Sequence, residues 1–196
     1  MQQLMNIRDA TKNDVKDLAI LINLAGEGLP MFLWRQMAEQ GQDPLTIGAI
    51  RAAREEGLFS YLNARVLEID GLVAGMMLGY LLPDPYDVGE PRDYPAAVWP
   101  LVQLEAEVPG SWYVNAIATY EQFRGRGVAS ALMSAGQEIA RAAGATELSL
   151  IVASDNKLAH AFYLKLGYQE IGFRPLTVFP GGPDAGQWLL MVKYLR

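Results

Sequence analysis

The run FRGRGVASALM, from Phe123 to Met133, is the point at which the chain changes its period. Before it, WYVNAIAT reads as a strand. After it, Val128, Ala131, Leu132, Ala135 and Ile139 recur at helical spacing, with Gly144 beyond the helix end. A strand that feeds a helix through a glycine-bearing turn leaves the first helical amides unpaired, at the positive end of the helix dipole. Such an end holds a phosphate. Gly125 and Gly127 tolerate positive φ and let the backbone approach an anion without a Cβ between, while Arg124 and Arg126 place guanidinium donors beside it. By themselves the glycines admit a bare turn, a nucleotide loop or a phosphate cradle.

The rest of the chain narrows these options. In 196 residues there is room for one substantial core, so a single domain over 1–196 is expected. There is no cysteine and one histidine, His160, which excludes disulfides, a cysteine nucleophile and the usual histidine-based zinc sites; no metal is expected. No Gly-x-Ser-x-Gly elbow occurs, so hydrolytic triads drop out. The net charge of -6 disfavours nucleic acid as a partner. The longest apolar run, GLVAGMMLGYLLP, is too short to span a bilayer, and the N-terminus lacks the pattern of a secretory signal, so no membrane partner and a cytoplasmic location are expected.

Read in order, MNIRDAT is a strand, and Thr11 with Asp14 makes a capping box for a helix carrying Val15, Leu18, Ala19 and Ile22. A second helix follows Pro30, with Phe32, Leu33 and Met37 as its apolar positions. A third is predicted from an Asp43 cap through Pro44 to about Glu56, where Gly57 stops it. Asp70-Gly71 joins two apolar runs into a hairpin. From 83 to 110 prolines and acids break the pattern, which predicts a long loop or insertion. ATELSLIVAS is a strand, a helix runs from about Lys157 to Leu166 with Asp155 or Asn156 as its cap, and YQEIGF and QWLLMVKYL are two further strands. The fold class is mixed α/β, with a sheet of about six or seven strands.

Walker and dinucleotide patterns fit the junction badly: there is no Gly-Lys-Ser/Thr, and Ser130 stands where the third glycine would be. Arg124, Gly127 and Ala129 form Arg-x-x-Gly-x-Ala. This resembles the Gln/Arg-x-x-Gly-x-Gly/Ala signature of the GNAT family of acyl-CoA N-acyltransferases. DNKLAHAFYLKLGYQEIGF resembles the same family's Asn-x-x-Ala-x-x-x-Tyr-x-x-x-Gly-Phe/Tyr helix and the strand after it, and together the two cover Trp112 to Phe173.

The resemblance implies a mostly antiparallel sheet, flanked by helices and splayed at a cofactor cleft, with acetyl-CoA as co-substrate and an amine acceptor, small molecule or peptide. Ile117, Ala118 and Thr119 match the strand that pairs with the pantetheine arm. Gly125, Arg126, Gly127, Val128, Ala129 and Ser130, opened by Arg124, match the pyrophosphate loop. Asn156 matches an asparagine that binds the cofactor arm, and Tyr163 matches the tyrosine that protonates the departing thiolate. The amine attacks the thioester directly, so no covalent enzyme intermediate is needed. Where many members carry a glutamate, this chain has Ala116 and Ile151; the base is then ordered water or an acid from elsewhere, such as Glu105, Glu107 or a hairpin residue.

That departure keeps a catalytically weak acyl-CoA-binding module in view. Asn156, His160 and Tyr163 share one helix face, leaving Ala159, Phe162 and Leu166 for the core. The acids of 83–110 favour a cationic acceptor if they border its pocket, and are otherwise a solvated loop. Many relatives pair through their C-terminal strands, so a homodimer is expected.

Overall fold

The computed structural model describes residues 4–195. Seven strands form one sheet in the order β1-β2-β3-β4-β5-β7-β6: β1 Met5–Asp9, β2 Ala64–Ile69, β3 Leu72–Leu81, β4 Trp112–Thr119, β5 Glu147–Ala153, β6 Gln169–Pro175 and β7 Gln187–Tyr194. The described ladders are antiparallel except β4 with β5. The α-helices are α1 Val15–Ala25, α2 Leu29–Met37, α3 Pro44–Ala52, α4 Trp99–Glu105, α5 Val128–Ala142 and α6 Lys157–Lys165. None is long and apolar enough to cross a membrane. The chain forms two compact units, one of residues through Gly79 with Asn115–Gly136, the other of Tyr80–Val114 with the residues from Gln137 on.

In the first unit the hairpin forms at the expected dipeptide, with Asp70 at φ 52° and Gly71 at φ 81°, the two positive values a two-residue turn requires. Leu18, Leu21 and Ile22 of α1 and Trp34 of α2 bury themselves with Val66, Met76, Leu78, Ala116 and Ala118 of the strands. Trp34, rather than Phe32, Leu33 or Met37, is the buried anchor of α2, because its ring seats against Gly48 of α3 and meets Phe59 edge-on at 6.5 Å. The third helix ends at Ala52, four residues short of the predicted Glu56. The Ser60 hydroxyl takes the Arg54 carbonyl instead, and the chain turns toward β2.

The Thr11–Asp14 capping box forms around a short 3-10 turn before α1, and it reaches further than a cap. Arg8 donates twice to the Asp14 carboxylate, both bonds at 2.8 Å, and twice to Glu68 Oε1, which fastens β1, β2 and the first helical turn together. The hydrogen bonds from Arg8, helped by those from Thr11, outweigh burial and hold the Asp14 carboxyl at about 2. A carboxylate whose folded value lies below its unfolded value contributes stability that is complete above about pH 4 and lost as pH falls toward 2. Asp14→Asn should therefore cost about 2 kcal/mol in urea unfolding at neutral pH and flatten the acid limb of the stability curve. An unchanged acid limb would show that Asp14 does not carry it.

In the second unit β5 pairs with β7 along its whole length, from Glu147↔Tyr194 to Ala153↔Trp188, and β6 covers the outer edge of β7. The stretch expected to be an irregular insertion contains a helix, α4. Pro100 stands in its first turn, where its missing N–H costs nothing, and Val102 and Leu104 are buried. The helix packs on β6 and β7.

Candidate active site

The first unit carries the signature turn. β4 runs out through Ile117, Ala118 and Thr119, and a short 3-10 turn, Glu121–Phe123, leads to Arg124. Gly125 and Gly127 have φ of 75° and 82°, and a Cβ on either would meet open space. These glycines are required by the backbone path; no neighbouring protein atom crowds them. The amides of Gly127, Val128, Ala129 and Ser130, the first turn of α5, find no acceptor among the described residues. Arg124, Gly125, Arg126, Gly127 and Ser130 are exposed, and Arg126 is steadied by its guanidinium lying 5.4 Å from the centre of the Phe123 ring.

Two supports of this turn were missed in the sequence. Gly75 on β3 lies where a Cβ would sit 2.6 Å from the Ala118 carbonyl oxygen and 2.8 Å from Val128 Cγ1, so only glycine lets β3, β4 and the start of α5 approach this closely. Its signal was a glycine inside an apolar strand run. The β2–β3 register shifts beside it, and the Ala74 carbonyl accepts from the Tyr120 amide at 2.9 Å. The Tyr120 hydroxyl donates to Asp17 on α1, which, together with burial, pushes the phenol above its ordinary value. The Thr119 hydroxyl is buried with no hydrogen-bond partner among the described residues.

The second unit carries α6. Asn156 is its N-cap, accepting from the Ala159 amide at 3.0 Å, so Asn156 rather than Asp155 starts the helix. The buried face is not the expected one. Tyr163 is 8% exposed, with its ring 5.5 Å from Phe162 and 5.9 Å from Tyr168, whereas Ala159, Phe162 and Leu166 are only half-buried. Tyr168, just past the helix, draws Tyr163 inward. His160 is held by Glu170 of β6 at 2.6 Å, a structural partner on the next strand. Ala116 is buried and Ile151 half-buried. Of the acids offered as bases, Glu107 is ion-paired to Arg174 and Glu105 accepts from the Tyr86 hydroxyl at 2.6 Å.

A strand that leads through two positive-φ glycines into a helix whose first-turn amides find no acceptor among the described residues has a geometry that suits an anion, and it stands in a mixed α/β sheet protein. The family model of the GNAT acetyltransferases matches residues 31–168, and the chain belongs to that family. A stretch of 78 residues is 31% identical to N-alpha-acetyltransferase 30 of Schizosaccharomyces pombe, covering 40% of this chain and 51% of that protein. The chain spans no more than about half the length of the curated relatives it matches. A crystal structure of an acetyltransferase superposes over 97% of this chain and 100% of that one, with a TM-score of 0.65 and 25% identity. YncA of Salmonella typhimurium, solved with acetyl-CoA, does so over 98% and 94%, with a TM-score of 0.60 and 18% identity.

Proposed function

We propose that this protein transfers an acetyl group from acetyl-CoA to a primary amine by direct attack, as one domain with 83–110 inserted. The observation that carries the reading is the first turn of α5, whose amides find no acceptor among the described residues, behind two exposed glycines at positive φ. The residues fit coenzyme A. The amides of 125–130, with Arg124, suit its pyrophosphate, and the backbone of Ile117, Ala118 and Thr119 lies past Val114, the last described pair of β4 with β5, where an extended pantetheine arm can pair with it. The buried Thr119 hydroxyl has no hydrogen-bond partner there among the described residues.

Acetyl-CoA supplies the thioester, an acyl group on a thiolate leaving group. As the nitrogen lone pair forms the N–C bond the C–S bond breaks, and Tyr163 delivers a proton to the sulfur while the nitrogen sheds one to base. Asn156 fixes the start of the helix that carries Tyr163 and binds the cofactor arm. The missing carboxylates at Ala116 and Ile151 support a second reading, a binding module with little turnover. The family further suggests a cytoplasmic homodimer.

A panel of amines followed by free-thiol release, with thermal unfolding in acetyl-CoA and in NAD alongside, separates these readings. Acetyl-CoA at about a hundred times its Kd should add roughly 2.7 kcal/mol of stability, a shift of several degrees. A shift without thiol release from any amine would leave the binding module. A shift with NAD and none with acetyl-CoA would overturn both.

A further inference from the structure

Strand β4 breaks its own burial pattern at one residue. It is the fourth strand of seven, and of its eight residues Asn115 alone is exposed, between Val114 and Ala116, which are both buried. Val114 is also the last residue of β4 in the described ladder with β5. Ala116 and Ala118 turn into the core beside α1 and α2, and side chains alternate along a strand, so Asn115, Ile117 and Thr119 share the opposite face. The Asn115 carboxamide has no hydrogen-bond partner among the described residues, and neither has the buried Thr119 hydroxyl. These residues and the signature turn all belong to the first unit. Asparagine is a poor strand former, and no contact within the fold selects it at this place.

Its position acquires a chemical meaning once the acyl donor is laid along the strand. With the pyrophosphate on the amides of 125–130 and the arm extended past Thr119, Ala118 and Ile117, the thioester comes next, beyond Ile117. Asn115 stands two residues further on, about 7 Å along the strand and on the same face. The two reacting partners are unequally provided for there. Strand amides past the β5 pairing can meet the thioester carbonyl oxygen. The hydrogens of the incoming nitrogen meet no carboxylate at 116 or 151, because those residues are Ala116 and Ile151.

We propose that Asn115 orients the acceptor: its Oδ1 accepts a hydrogen bond from the attacking amine and aims the nitrogen lone pair at the thioester carbon. This role deepens the acetyltransferase reading and rests on it. A carboxamide is neutral, so it takes no proton and does not hold the acceptor as an ammonium ion. The amine therefore reacts in its uncharged form. Its lone pair forms the N–C bond, the C–S electron pair leaves with sulfur, sulfur takes a proton from Tyr163, and the proton lost by nitrogen passes to water. Asn115 contributes by orientation where a carboxylate would contribute by proton transfer.

Steady-state thiol release with benzylamine, 1-aminobutane and glycinamide, alongside calorimetric titration of acetyl-CoA, tests this on three variants. Asn115→Ala and Asn115→Leu should lower kcat/KM for each amine that the wild type acylates by about tenfold, the scale of one lost hydrogen bond. The Kd for acetyl-CoA should stay within about twofold. Asn115→Asp keeps an acceptor oxygen at the same place and should recover most of the loss, measured above the pKa of the amine. A residue with only a structural role would weaken acetyl-CoA binding and turnover together, and aspartate would not rescue it.

Unchanged kcat/KM in Asn115→Ala overturns this role. Asn115→Asp performing no better than Asn115→Ala overturns it too, and would assign the side chain to its N–H donors. Asn115→Leu, which keeps the side-chain volume, decides the matter if Asn115→Ala no longer binds acetyl-CoA. Wild-type protein that binds acetyl-CoA and releases thiol with none of the three amines loses the acetyltransferase reading and this role together. Wild-type turnover that the substitutions leave untouched removes the role of Asn115 alone.

Discussion

Tyr163→Phe should lower kcat about a hundredfold while leaving the affinity for acetyl-CoA within about twofold, the signature of a lost proton donor. The substitution isolates one atom. Tyr163 is buried, and its ring packs between Phe162 at 5.5 Å and Tyr168 at 5.9 Å; phenylalanine keeps both contacts. The deficit should shrink with acyl donors whose thiol leaves more readily, because such a thiolate needs its proton less. Stopped-flow measurement of thiol release reads both quantities. Full turnover at every pH would remove Tyr163 from the chemistry and leave its burial as its whole role.

Gly75→Ala should destabilise the protein by about 2 kcal/mol and weaken acetyl-CoA binding by about tenfold, although residue 75 faces no ligand in the proposed reaction. The new Cβ would stand 2.6 Å from the Ala118 carbonyl oxygen and 2.8 Å from Val128 Cγ1. The first is backbone of the strand proposed to pair with the pantetheine arm, and the second opens the helix whose amides are proposed to hold the pyrophosphate. Neither can yield without moving the cradle. Gly127→Ala makes the useful contrast. Its Cβ enters open space, so the cost is the left-handed φ of 82° alone, about 1 kcal/mol. Urea unfolding and calorimetric titration of acetyl-CoA on both variants compare the two. If Gly75→Ala binds acetyl-CoA as the wild type does, the close approach of β3 does not position the cradle.

Local chemistry was legible where the physical cause is local. Asp70-Gly71 takes two positive φ values in succession, Asp43 caps α3 with Pro44 behind it, and Thr11 and Asp14 cap the turn before α1, each within a few residues of sequence. Elements came out differently where packing competes. Proline at 100 looked like a breaker and is a helix starter, because the same residue is tolerated in a first turn and excluded further in. Helix α3 stops at Ala52 because the chain beyond it is tied to Ser60. Helix α6 turns Tyr163 inward because Tyr168 waits there, and no periodicity within nine residues can reveal that.

The sequence by itself determined the order of strands and helices outside 83–110, the signature turn with Gly125 and Gly127, the family, and the absence of a carboxylate at Ala116 and Ile151. These follow from backbone preferences and residue identity, which a linear chain displays directly. Tertiary structure alone decided that Arg8 joins Glu68 across 60 positions, that Gly75 admits Ala118 and Val128, and that Tyr86 reaches Glu105 across 19. Hydrogen bonds and steric contacts depend on distances of a few ångströms between residues remote in sequence. Those distances exist only once the sheet has set its register and the helices have packed on it.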